Sequence, residues 1–240
     1  NGMNIALIGY GKMGKAIHEI AKQRGHEAVL IIDADNLHDL TPENIKKADV
    51  VIEFTSPHTA FKNVTFCLQQ SVPVVCGSTG WLDKLDEAKA IAEAARTGLI
   101  VASNFSVGVN IFFEVNKRLA QLMAAQSNYE VTLKEIHHTA KKDAPSGTAI
   151  SLAEQVLEQL GRKDKWVNEV SAHPGDLSII SERIDPAPGT HHVKYSSAID
   201  DIEIIHTAHN RTGFALGAVL AAEFLKDKTG FFGMKEVLNL

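Results

Sequence analysis

The first hundred residues alternate short apolar runs with helical periodicity. Asn4-Ile5-Ala6-Leu7-Ile8 carries four apolar residues in succession and stops at Gly9, the pattern of a short strand buried on both faces. From Lys12 to Arg24 the apolar positions become Met13, Ala16, Ile17, Ile20 and Ala21, which share one face of a helix. Gly25 follows where a helix end favours glycine. Further strand-like runs cover residues 28–32, 48–54, 72–76 and 99–102, with helical stretches over 59–70 and 82–96. This alternation predicts an α/β fold, a Rossmann-like, doubly wound parallel sheet with helices on both faces.

Beyond Phe105 the pattern changes. A long helix over 110–125 precedes Tyr129-Glu130-Val131-Thr132-Leu133-Lys134-Glu135-Ile136-His137, whose side chains alternate as in a half-exposed strand. A helix over 149–160 follows. Residues 171–208 read as several strands broken at His173-Pro174-Gly175, Pro186-Ala187-Pro188-Gly189 and Asp200-Asp201. The apolar helix over 214–225 has no core of its own there and is expected to return to the first domain. The expected division is residues 1–105 plus 212–240 for the first domain. Residues 106–211 form a second, α+β domain with a mixed or antiparallel sheet.

Composition narrows the partners. The 240 residues are 45% hydrophobic and 22% charged, ordinary globular usage, and a net charge of −5 argues against nucleic acid or an anionic membrane as the main partner. No apolar run approaches the roughly 20 residues of a membrane helix. Cys67 and Cys76 read as core residues, and a reducing cytoplasm is the expected compartment. Asn1-Gly2 ahead of Met3 reads as an appended scar and is set aside.

The chemistry begins in Gly9-Tyr10-Gly11-Lys12-Met13-Gly14. The first glycine permits the strand-to-helix turn, the second lets a pyrophosphate approach the backbone, and the third lets helix and strand pack closely. The helix start offers N–H groups to phosphate. An acid, Asp33, ends the second strand 19 residues past Gly14. There it is placed to bind the adenine-ribose 2′-OH, or else to cap a turn. Asp33 followed by Ala34 favours NADH over NADPH, although Lys12 could attract a 2′-phosphate. The other strand ends, Phe54-Thr55-Ser56, Gly77-Ser78-Thr79 and Ala102-Ser103-Asn104-Phe105, are expected to border the nicotinamide.

The densest cluster is Glu135-Ile136-His137-His138-Thr139-Ala140-Lys141-Lys142-Asp143-Ala144-Pro145-Ser146-Gly147-Thr148-Ala149. Pro145 blocks an earlier helix start, Ser146 can cap, and Gly147 and Thr148 then aim N–H groups at the loop mouth. Imidazole and ammonium groups beside a helix start suit a carboxylate substrate and proton delivery to carbon. Adjacent histidines without a supporting acid or cysteine cluster do not suit a metal, so none is expected. Asp143 reads as a turn residue. Arg183 and the 188–192 segment fit an anion site or a surface turn equally well, and His206, His209 and Arg211 read as structural.

The run from Glu135 to Ala149 closely resembles the signature of the 4-hydroxy-tetrahydrodipicolinate reductase (dihydrodipicolinate reductase) family of lysine and diaminopimelate biosynthesis. The resemblance extends to the glycine loop, Phe54-Thr55, Gly77-Ser78-Thr79-Gly80, Asn104 to Asn110, Pro188-Gly189-Thr190-His191 and a C-terminal Gly-Phe-Phe. It implies reduction of a small cyclic dicarboxylate with NADH or NADPH by a homotetramer. The first domain would bind the dinucleotide, and the second would bind substrate and form the tetramer. It further implies His137 as proton donor or acceptor, Lys141 as proton donor, and His138, Gly147 and Thr148 as substrate contacts. Gly9 to Gly14, Asp33, Gly77 to Thr79 and Ala102 to Phe105 match cofactor positions. Two domains joined by two crossings suggest closure on binding. A two-domain aldose or amino-acid dehydrogenase would share the first domain without the histidine–lysine run. A dinucleotide-binding sensor would not need a proton donor.

Overall fold

The computed structural model describes residues 2–240; Asn1, one of the two residues read as a scar, lies outside the described residues. In chain order the elements are β1 (Asn4–Ile8), α1 (Lys12–Gln23), β2 (Glu27–Ile32), α2 (Pro42–Ile45), β3 (Val50–Glu53), α3 (Ala60–Gln69), β4 (Val74–Cys76), α4 (Leu85–Ala94) and β5 (Gly98–Val101). They continue as α5 (Val107–Met123), β6 (Glu130–His137), α6 (Gly147–Gln159), β7 (Lys165–Val167), β8 (Asp176–Arg183), β9 (Thr190–Ser196) and β10 (Asp201–Thr207). The chain ends with α7 (Thr212–Leu225), β11 (Gly230–Phe232) and α8 (Met234–Leu238). Among the described residues no helix is long and apolar enough to cross a membrane.

Two compact units result. One runs through Val107 and takes back Thr212–Leu240; the other is Gly108–Arg211. The first holds a parallel sheet in the order β11-β5-β4-β3-β1-β2. Successive residues leave a strand on opposite faces. Ile5, Leu7, Val50 and Ile52 therefore pack with Ile17 of α1 and Ala218, Val219 and Ala222 of α7. Ala6, Ile8, Val51 and Cys76 pack instead with Val64 and Leu68 of α3 and Ala88 of α4. Burial on both faces is why these strands show no polar alternation. The exception is Glu53, fully buried at the end of β3. The sheet also gains a strand that periodicity did not reveal: β11 pairs with β5, Gly230 opposite Gly98. Three residues are too few to display a period, and the same holds for β7.

The second unit has a mixed sheet in the order β10-β9-β6-β8-β7, with β6 antiparallel to β9 and parallel to β8. Val131 and Leu133 of β6, Leu177 and Ile179 of β8, and Val193 and Tyr195 of β9 meet Ala120 and Met123 of α5 and Leu152 and Val156 of α6. Both helices lie on this face. Within the unit the opposite face carries Thr132, Lys134, His192, Lys194, Glu203 and the exposed Ile205.

The return of α7 brings Gly217 against the Phe105 carbonyl so closely that an added Cβ would lie 1.6 Å from its oxygen. Overpacking of this kind costs about 1–3 kcal/mol or more, worth several degrees of melting temperature in a chain of this size. Gly217→Ala is expected to melt several degrees below wild type. Gly213→Ala, whose methyl would meet only Ser106 Oγ at 3.7 Å, should melt within about two degrees of it. Equal midpoints in a thermal denaturation series would contradict the close approach.

Candidate active site

In the first unit the glycine loop follows β1 and opens α1. Gly9 has φ +102°, and a Cβ there would lie 1.8 Å from the Phe54 carbonyl oxygen, so only glycine fits. A Cβ on Gly14 would sit 2.4 Å from the Gly9 oxygen, which is the close helix–strand packing expected of the third glycine. Gly11 faces open space, with no atom within 4 Å of its Cβ position. A cradle shut to side chains at both ends and open in the middle fits a pyrophosphate.

Two cavities flank this loop. One, of about 750 Å3, is lined by Gly9, Tyr10, Asp33 and Ala34 together with His58 and Lys62. The other, of about 320 Å3, is lined by Gly11, Lys12, Met13 and Gly14 and by Phe54, Thr55, Gly77, Ser78 and Thr79. Asp33 also makes the turn that was its alternative role: its Oδ1 accepts from Asp35 N at 2.8 Å, while its own N–H donates to Asn36 Oδ1 at 2.7 Å. Ala102, Ser103, Asn104 and Phe105 follow β5 and line neither cavity. Phe105 is fully buried and packs edge-on against Phe54 and Phe214, at 5.6 Å from each.

Ser78 is turned inward. Its Oγ donates to Glu53 Oε1 at 2.6 Å and accepts from Thr55 N at 2.7 Å. Thr55 Oγ1 donates to Glu53 Oε2 at 2.5 Å. Glu53 thus ties together the loops after β3 and β4, a role hidden in the sequence inside an apolar run.

In the second unit the face of β6 that supplies Val131 and Leu133 to the core continues as Glu135 and His137. Glu135 is fully buried. Its Oε1 accepts from His137 Nδ1 at 2.6 Å and Arg183 Nη1 at 2.7 Å. Its Oε2 accepts from Ser146 N at 2.8 Å, Ser181 Oγ at 3.0 Å and Arg183 Nη2 at 3.1 Å. A carboxylate only accepts, so His137 carries its proton on Nδ1 and turns Nε2 outward from this contact. Burial pushes the Glu135 carboxyl up, but the hydrogen bonds from His137, Arg183, Ser146 and Ser181 together hold it far below the usual carboxylate range.

Arg183 does more than pair with Glu135. Its Nε donates to the Lys141 carbonyl at 3.2 Å and its Nη2 to the Asp143 carbonyl at 2.7 Å, fastening the loop that carries Lys141. Lys141 itself lies 3.0 Å from Asp143 Oδ1. Its near neighbour is therefore an anion, Asp143, which the sequence reads as a turn residue. His138 is half-buried and Lys142 exposed. Ser146 caps α6 as expected, accepting from Ala149 N at 3.1 Å, and Gly147 and Thr148 take the first two helical positions. Sequence reading named neither Glu135 nor Glu53 as a site residue and left Arg183 undecided. A usable signal for Glu135 existed, because it shares the odd-numbered, apolar-facing positions of β6.

His191 of β9 stands opposite Glu135, with its ring 5.2 Å from that of His137 and Nε2 3.1 Å from Ser146 Oγ. Burial, with help from the nearby His137 charge, pushes it down to about 3. The unfolded chain takes up a proton here near its ordinary value of 6.5, which the folded chain refuses. Stability from this group is therefore complete above about pH 6.5 and lost as the pH falls towards 3. Glu135 adds its own loss only below its ordinary value of 4.5. His191→Gln is expected to flatten the fall in denaturant-measured stability between about pH 6.5 and 4.5. His206, which burial also pushes down, retains part of the slope. An unchanged slope would show that His191 is not buried neutral.

Family comparison covers both units. The family model described as dihydrodipicolinate reductase, N-terminus, matches residues 3–105, and that described as dihydrodipicolinate reductase, C-terminus, matches residues 108–238. A 4-hydroxy-tetrahydrodipicolinate reductase of Christiangramia forsetii is 51% identical over 238 residues, 99% of this chain and 98% of that protein. One from Neisseria gonorrhoeae is 36% identical over 203 residues, 82% of this chain and 74% of that protein. Among solved structures, the dipicolinate-bound dihydrodipicolinate reductase from Paenisporosarcina sp. TG-14 superposes with a TM-score of 0.77 at 26% identity, covering 98% of this chain and 99% of that one. A probable dehydrogenase from Thermotoga maritima, 12% identical with a TM-score of 0.57 over 98% of this chain and 92% of that one, shares the fold alone. With both halves matched by family models and a relative half identical along nearly its whole length, this chain belongs to the dihydrodipicolinate reductase family.

Proposed function

We propose that this chain reduces 4-hydroxy-tetrahydrodipicolinate, or the dihydrodipicolinate derived from it, to tetrahydrodipicolinate in lysine and diaminopimelate biosynthesis. The observation that carries this reading is the Glu135–His137–Arg183 cluster, built beside the helix start of α6 in a chain of this family. Residues 1–105 with 212–240 take the cofactor, and residues 106–211 take the substrate. When bound, NADH or NADPH supplies the hydride.

The glycine loop and the start of α1 would hold the pyrophosphate, and Asp33 the adenine ribose. Phe54, Thr55, Gly77, Ser78 and Thr79 would border the nicotinamide. The Paenisporosarcina relative binds dipicolinate. Carried to this chain, that ligand class would be a ring dicarboxylate held by His138, Lys141 and the N–H groups of Gly147 and Thr148. Glu135 holds the Nδ1 proton of His137, which leaves Nε2 to exchange a proton with the substrate. The Lys141 ammonium supplies the proton that completes reduction.

Two further points belong to the same reading. The helix-free face of the second sheet, with exposed Ile205, supports a homotetramer built through this unit. The biosynthetic role implies a cytoplasmic enzyme. NADH is the preferred cofactor in this reading, because Asp33 sets a carboxylate where a 2′-phosphate would lie and Ala34 after it brings no cation, although Lys62 lines the same cavity.

The primary test follows the loss of reduced-nicotinamide absorbance on addition of freshly generated substrate; tight cofactor binding without turnover would rule out the enzyme in favour of a sensor. Lys141→Ala is expected to lower kcat about 10²–10⁴-fold, the range for a lost general acid. Its melting point should stay close to wild type, since a pair with the exposed Asp143 adds little stability. Near-normal turnover in that variant removes Lys141 from the mechanism. Asp33→Ala is expected to shift the NADH-to-NADPH ratio of kcat/KM about tenfold towards NADPH, the effect of one hydrogen bond to a charged group. An unmoved ratio would mean that Asp33 does not read the ribose.

A further inference from the structure

Glu53 has no exposed surface, and its partners are all neutral. Oε1 accepts from Ser78 Oγ at 2.6 Å and Cys76 Sγ at 3.2 Å; Oε2 accepts from Thr55 Oγ1 at 2.5 Å and Asn63 Nδ2 at 3.3 Å. Cys76 and Asn63 can only donate here, and the two hydroxyl contacts are as short as charge-assisted bonds. Four donors around two oxygens suit a carboxylate, solvated here by hydroxyl, thiol and amide, with no cation against it. Glu135, the other fully buried glutamate, is neutralised by the Arg183 fork.

The position of this anion matters. Ser78 and Thr55 line the smaller cavity beside the glycine loop, so the carboxylate lies one hydroxyl behind that wall. In the sheet the order runs β2-β1-β3-β4. A dinucleotide with its adenosine at the end of β2 and its pyrophosphate on the loop after β1 lays its other end over β3 and β4. That is where Glu53 sits. Burial, and next to it the Glu53 carboxylate, push the thiols of Cys67 and Cys76 up.

We propose that Glu53 is a fixed anion behind the nicotinamide wall that favours the oxidised cofactor and so assists hydride donation. The proposal rests on the cofactor reading above. In hydride donation the C4–H bond of a dihydronicotinamide breaks, and its electron pair leaves with the hydrogen for the substrate carbon. The ring, neutral before, is left as a pyridinium cation. A negative charge held in place before reaction, in surroundings of low dielectric, stabilises that developing charge with no reorganisation of its own. Glu53 acts through space and through Ser78 and Thr55; it is a positioning residue, not a catalytic one.

The test compares equilibrium dissociation constants for NADH and NAD+, by fluorescence titration and competition, in wild type and Glu53→Gln. Removing the charge at constant shape is expected to raise the ratio Kd(NAD+)/Kd(NADH) about tenfold. Asn63→Lys, which sets a cation on the carboxylate without removing it, is expected to move the ratio the same way. It also keeps the question open to measurement if Glu53→Gln does not fold. If both constants rise together at an unchanged ratio, Glu53 is only a brace between two loops and the proposal fails. A wild-type chain that binds neither nucleotide gives a different result, the failure of the cofactor reading itself.

Discussion

A carboxylate withdrawn from water must be given donors where it lies, and around Glu135 that requirement organises the second unit. Five hydrogen bonds reach its two oxygens, from a neighbouring strand, from the same strand and from the cap of α6. Losing one partner would leave a buried charge incompletely paired, which is far more destabilising than the loss of a surface contact. The cluster therefore holds its members to a single geometry. His137 is kept in one tautomer, Ser146 is set where α6 must begin, and Arg183 is drawn across to fasten the backbone of the Lys141 loop. The loop that carries Lys141 is held by a strand and a helix.

Glu53 in the first unit answers the same requirement by other means. It ends a central strand of a sheet covered on both sides, so water cannot reach it, and no arginine is at hand. Two hydroxyls, a thiol and an amide share the task. Neutral donors stabilise the charge without cancelling it, which leaves its field available to what lies beyond the wall. One buried glutamate is neutralised and positions an imidazole; the other keeps its field. The difference follows from the partners alone.

The parallel sheet explains why the residues proposed for the cofactor gather where they do. With helices over both faces, the only open places are the loops at the strand ends. The glycines at 9 and 14 then close the approach to side chains but leave the backbone bare. The second sheet is built differently. Helices cover one face only, so its alternation is visible in the chain and its other face is left with isoleucines and paired charges.

Much of this was legible in the residues themselves. The period of two or of 3.6 located the long elements because it records which side faces the core. The glycine loop, the acid after β2 and the Ser146 cap were readable because each is a local solution to a local backbone problem. The histidine–lysine run was readable as an unusual sequence of types. The short strands β7 and β11 were not, since three residues carry no period and owe their conformation to the strand they pair with. Nor were Glu53, the inward turn of Ser78, the burial of Phe105 or the anionic neighbour of Lys141. The chain determined by itself which segments are strands and helices and which loops carry chemistry. Only the tertiary structure decided which charges are buried, what each accepts from, and which nitrogen of His137 holds its proton, because those depend on groups brought together from 2 to 48 residues away.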